Sequence, residues 1–219
     1  MNDANDGLGA QNRAAEQRSS ADGPSTTGRS EILRRPHVLL GVSGSVAAIK
    51  VPLIAKLLAD FCDVVVIATD ASRKLLAVDQ LEAMHLPVKG DEEEWREWKV
   101  VGDPVMHIEL RRWADCLVIA PLSANTLAKV AQGLCDNLLT CVFRAWDFSR
   151  PLLVAPAMNT FMWDSPFTAT HLEALQRLGV AIIPPISKKL ACGDVGDGAL
   201  AEPQAIAEAV RAAILPREC

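Results

Sequence analysis

The feature that most constrains this chain is a series of short, continuously apolar runs, each closed by small polar residues. His37-Val38-Leu39-Leu40-Gly41-Val42 ends in Ser43-Gly44-Ser45, and Val46 to Leu58 then carries apolar residues at helical spacing. Similar runs stand at Val64–Ala68, Cys116–Ala120, Leu152–Ala155 and Val180–Ile183, each followed by polar turn residues. A strand that is apolar on both faces belongs inside a parallel sheet with helices on both sides. The expected fold is therefore α/β, a three-layer sandwich around a parallel sheet with right-handed crossovers. Residues 108–113 and 205–214 read as helices beside it.

In such a sheet, of flavodoxin-like or Rossmann-like type, ligands sit outside the carboxyl ends of the strands. Those ends are residues 43–45, 69–72, 121–126, 156–159 and 184–189, rich in Ser, Thr, Asn and Gly. The acidic run Asp91-Glu92-Glu93-Glu94 reads as a solvated turn. Residues 1 to about 35 show no apolar period and are rich in Ala, Ser, Gly, Asp and Asn. They cannot offset the entropy of ordering, so a disordered tail is expected before a folded domain over residues 36–219.

Composition narrows the function. A formal net charge of −5 gives no broad attraction for nucleic acid. No apolar run approaches the ~20 residues that cross a bilayer, so no membrane span is expected. The six cysteines form no CxxC pair and the four histidines are scattered, which leaves no metal-ligand spacing. With no secretory signal, free thiols in a reducing compartment, the cytoplasm, are expected.

Several residues have chemistry worth weighing. Gly41-Val42-Ser43-Gly44-Ser45 before a helix suits an anion, although Ser45 could equally be a plain N-cap. Pro121-Leu122-Ser123-Ala124-Asn125-Thr126 offers more hydroxyl and amide groups than one cap needs, which favours a ligand-binding loop. His107 is a candidate acid or base, because an imidazole can both give and take a proton, but a lone His is commonly structural. Met158, Met162 and Trp163 after a strand end are either packing or cofactor contacts. Residues 191–199 combine Cys192 with three glycines and read as a mobile loop carrying a reactive thiol. Cys62 and Cys116 lie in or beside apolar runs and are expected to be inert.

Together these motifs resemble the homo-oligomeric flavin-containing cysteine decarboxylases, most closely their plant-type branch in coenzyme A biosynthesis, over residues 36 to about 210. The resemblance rests on Gly44-Ser45-Val46, His107 to Asp115, Pro121 to Lys129, Pro156-Ala157-Met158-Asn159 and Ala191-Cys192-Gly193-Asp194. It implies FMN contacts at Gly44, Ser45, Val46, Thr69 and Ser72. It implies further contacts at Ser123, Ala124, Asn125, Thr126, Ala157 and Met158. His107 and Cys192 match catalytic positions, and Asn159, Ala191 and Ala201 match substrate-binding ones. Val195 stands where plant relatives have an aromatic residue, Asp197 where Asn is usual, and residues 70–75 depart from the serine-rich form.

The implied substrate is phosphopantothenoylcysteine, held in a homotrimer with the flavin near subunit contacts. The implied chemistry is oxidation of the substrate thiol to a thioaldehyde, loss of CO₂ as an enethiolate, and return of the hydride with a proton from Cys192. Cys192 separates the coenzyme A branch from relatives that decarboxylate peptide cysteines. Two other readings of the scaffold are an idle regulatory subunit and a plain flavin reductase. The intact His107, Asn159 and Cys192 count against the first, and the Cys loop against the second.

Overall fold

The computed structural model describes residues 34–189 and 195–214. The expected tail lies outside them apart from Arg34 and Arg35, whose guanidinium groups pair with Asp115 at 2.6 Å and Asp63 at 3.0 Å. The chain builds β1 (His37–Val42), α1 (Val51–Ala59), β2 (Asp63–Ala68), α2 (Asp70–Arg73), α3 (Val78–Ala83) and β3 (Val88–Lys89). Next come α4 (Asp91–Glu97), α5 (Met106–Trp113), β4 (Cys116–Leu122), α6 (Ala124–Gln132), α7 (Leu138–Arg144) and β5 (Leu152–Pro156). The last part holds α8 (Thr160–Trp163), α9 (Pro166–Arg177), β6 (Ala181–Ile182), β7 (Ile186–Lys189), β8 (Val195–Ala199) and α10 (Pro203–Ile214).

The main sheet runs β3-β2-β1-β4-β5-β6, with every neighbouring pair parallel. That is the Rossmann order; a flavodoxin sheet would run 2-1-3-4-5. The apolar runs explain it, because alternate residues of each strand face opposite layers. Val38, Leu40 and Val42 pack with Ile54 and Leu58 of α1 and Ile206 and Val210 of α10. Leu39, Leu117 and Ile119 pack with Leu127 of α6, Leu138 and Leu139 of α7 and Leu175 of α9. Burying each such side chain contributes roughly 1.5–3 kcal/mol, so these strands are fixed at the centre.

Three local expectations are corrected. The helix expected from Val46 begins as a 3-10 turn over Val46–Lys50 and becomes α-helical only at Val51. Pro52 has no N–H to offer the Ala48 carbonyl, which accepts from Val51 instead. The acidic run is not a turn but the start of α4, where carboxylates beside the free N–H groups suit the helix dipole.

Within the segment expected to be a mobile loop, residues 195–199 form β8, antiparallel to β7. Its glycines serve close approach: a Cβ on Gly198, at φ +115°, would lie 2.5 Å from the Met158 carbonyl oxygen. That carbonyl neighbourhood is tied down by the Met158 N–H, which donates to the Gly198 oxygen at 2.9 Å. Residues 190–194, with Ala191 and Cys192, lie outside the described residues.

Candidate active site

The strand order reverses between β1 and β4, so the loops after these two strands diverge and open a crevice at the carboxyl edge. Ser43 joins them. Fully buried, its hydroxyl donates to the Pro121 carbonyl at 2.8 Å and accepts the Ser123 N–H at 2.7 Å. Nearby, a Cβ on Gly44 would come within 2.7 Å of the Ala71 Cβ, so glycine lets the β1 loop lie against α2. From the third side, the Ala157 N–H donates to the Leu122 carbonyl at 2.9 Å and brings in the β5 loop.

A cavity of about 530 Å³ fills this crevice. Its walls include Gly44, Ser45 and Val46 from the first loop, Ser123, Ala124 and Asn125 from the second, and Ala157, Met158 and Asn159 from the third. The β7–β8 hairpin adds Lys188, Gly198 and Ala199. A second, more polar hollow of about 370 Å³ shares Gly44, Ser123 and Asn125 as walls and adds Thr69 and Thr126. Such volumes suit a ligand of cofactor size.

The polar side chains that line the two hollows also cap helices. Ser45 accepts the Ala47 N–H, Thr69 the Ser72 N–H, Ser123 the Thr126 N–H and Asn159 the Phe161 N–H. Ser72 is fully buried, donates to the Thr69 carbonyl at 2.8 Å and lines neither hollow. Ala201 is buried beside the cavity residue Leu200 without lining the cavity itself. Met158 is buried and lines the cavity, as does the half-exposed Met162, whereas Trp163 packs against the core.

His107 lies in the first turn of α5 and lines neither hollow of its own chain. Its Nδ1 is 2.7 Å from Glu94 Oε1. Motif reading missed Glu94, because a run of acids carries no local mark of which one will be buried. It also missed Ser43 and Lys50, the latter a cavity residue one helical turn after Val46. Lys50 and Lys188 both reach Glu202, at 3.5 and 3.6 Å, and so stand together at the cavity wall. The inert thiols are as expected: burial pushes Cys62 and Cys116 up to about 12.

Fold and cavity define a doubly wound α/β protein with a cavity of small-ligand size at the switch point of its sheet. A family model described as Flavoprotein matches residues 27–215. Phosphopantothenoylcysteine decarboxylase of Oryza sativa subsp. japonica is 56% identical over 179 residues, spanning 82% of this chain and 81% of the relative. Among solved structures, a cysteine-to-serine mutant of PPC decarboxylase complexed with pantothenoylaminoethenethiol is 55% identical with a TM-score of 0.80. It covers 82% of this chain and 98% of its own. "The FMN binding protein AtHal3" is 56% identical with a TM-score of 0.77, over 82% of this chain and 96% of its own. The chain belongs to the flavoprotein family, among the phosphopantothenoylcysteine decarboxylases.

Proposed function

We propose that this protein decarboxylates N-(4′-phosphopantothenoyl)-L-cysteine to 4′-phosphopantetheine, with FMN as cofactor, in coenzyme A biosynthesis. The observation that carries the reading is the cavity at the β1/β4 reversal, which unites three motifs far apart in sequence: Gly44–Val46, Ser123–Asn125 and Ala157–Asn159. The absence of a Cβ on Gly44 lets the first loop close against α2, and the Ser, Thr and Asn side chains fit a phosphate and polyol chain. Apolar Ala124, Ala157 and Met158 fit a flat ring. FMN, when bound, supplies the hydride acceptor and donor that makes loss of CO₂ possible without net redox change.

The residues of the chain do the rest. Asn159 orients the substrate carboxylate by its amide, an alignment that leaves the charge free to depart. His107 moves the proton of the substrate thiol. The substrate would pass through a thioaldehyde and, after CO₂ leaves, an enethiolate; Cys192 would donate the proton that matches the returned hydride, giving the saturated product thiol. Lys50 and Lys188 offer positive charge to the phosphate of the substrate.

His107 lies outside the cavity of its own chain, and the cavity rim carries half-exposed Val46, Ile49 and Met162. We therefore infer a homo-oligomer, a trimer as the resemblance implies, in which His107 of one copy completes the cavity of the next. The direct test is to incubate flavin-loaded protein with phosphopantothenoylcysteine and follow CO₂ and product mass, beside Cys192→Ser. Phosphopantetheine from the parent and an enethiol-derived product from the variant support the reading. A flavin-loaded parent that releases no CO₂ sinks it.

A further inference from the structure

We propose that Glu94 is the positioning residue for His107: its carboxylate holds the imidazole with the hydrogen on Nδ1 and leaves Nε2 as the proton-accepting atom. The proposal rests on the reading of His107 as the proton-transfer residue. A carboxylate only accepts hydrogen bonds, so the 2.7 Å contact between Glu94 Oε1 and His107 Nδ1 requires the hydrogen on Nδ1. The Glu94 side chain is only 12% exposed and that of His107 28%, so water screens this pair less than a surface pair.

The first turn of α4, which carries Glu94, is itself held by three contacts. In α4, the Glu94 N–H donates to the Gly90 carbonyl, and Asp91 accepts the Leu138 N–H of α7 at 2.6 Å. Glu93 pairs with Arg73 at the end of α2. These contacts hold the first turn of α4 while Glu94 points at α5. Val105, the N-cap of α5, has no side-chain oxygen, and the His107 N–H instead meets Glu94 Oε1 at 3.4 Å. One oxygen thereby restrains both the backbone and the ring of His107.

The test uses flavin-loaded protein labelled with ¹⁵N-histidine, with the His107 ring signals assigned by their absence in His107→Asn. At a pH where the ring is neutral, the parent should show the Nδ1–H tautomer. Glu94→Ala should shift His107 to the Nε2–H form that a free imidazole prefers. It should also lower kcat on the order of tenfold or more with little change in KM.

Glu94→Asp should recover part of kcat. Glu94→Gln, which keeps the side-chain volume, should give mixed tautomers and an intermediate rate even if the alanine variant folds poorly. Glu93→Ala, which cuts only the Arg73 tether, should leave the tautomer as in the parent. An unchanged tautomer in both Glu94→Ala and Glu94→Gln overturns the proposal, and so does a changed tautomer with unchanged kcat. Full turnover by His107→Asn would instead overturn the function assigned to His107, while the tautomer measurement would still report on Glu94.

Discussion

The hydroxyl of Ser43 bridges the two loops that frame the cavity, donating to the Pro121 carbonyl and accepting the Ser123 N–H at 2.7 Å. Nothing else in the described residues couples the ends of β1 and β4 through one buried side chain atom with both a donor and an acceptor role. Ser43→Ala leaves a buried carbonyl and a buried N–H without this partner. The expected cost is about 1–3 kcal/mol of stability. FMN affinity should fall as well, because Ser123 no longer sits at a fixed distance from Ser45. Urea denaturation of the apoprotein and a flavin-fluorescence titration check the two effects separately.

The proposed sharing of the site between subunits is tested by complementation. His107→Asn and Asn159→Ala should each be inactive alone. Co-expressed, they should assemble mixed oligomers in which about a quarter of the sites pair an intact His107 with an intact Asn159. Recovered CO₂ release in the mixture supports the shared site. No recovery, with mixed oligomers demonstrated by mass spectrometry, would mean that His107 and Asn159 act within one chain.

Gly198 sets the position of the β7–β8 hairpin over the cavity. Alanine there meets both an unfavourable φ of +115° and the Met158 carbonyl oxygen at 2.5 Å. Gly198→Ala should cost about 1–3 kcal/mol and move Lys188 and Ala199 away from the cavity. A drop in kcat/KM larger than the drop in flavin affinity is the expected signature, read from steady-state kinetics beside a flavin titration.

The pair at the opposite edge of the sheet supplies a pH dependence. Burial pushes the Asp115 carboxyl up, but the Arg34 guanidinium and the His37 N–H outweigh it and hold the group below its usual 3.8. A carboxyl with a depressed folded-state pKa stabilises the fold above its unfolded pKa, and that stability is lost as pH falls through the folded value. Asp115→Asn should therefore lose about 1 kcal/mol near neutral pH, allowing for partial exposure of the pair. The gap to the parent should close as pH falls through the folded-state value, on the acid side of the usual carboxylate range. Asp91 has the opposite sign: burial raises it, with Asp70, Glu94 and Asp136 adding to the shift against the Leu138 N–H. Its ionisation costs stability as pH rises through the unfolded carboxyl range, so Asp91→Asn should flatten that part of the curve. Thermal denaturation across the acid range reads both.

The sequence by itself determined the central strands, because burial on both faces is written into consecutive residues such as Val38-Leu39-Leu40 and needs no knowledge of partners. It also determined where polar loops end those strands, and hence that Ser45, Ser123 and Asn159 lie at one edge. Tertiary structure alone decided the strand order and the use of Gly198 for close packing against Met158. It alone decided that Glu94, thirteen residues before His107, is the acid that meets it. These outcomes depend on which surfaces come together in space, and a side chain's neighbours across two packed helices leave no period or motif along the chain.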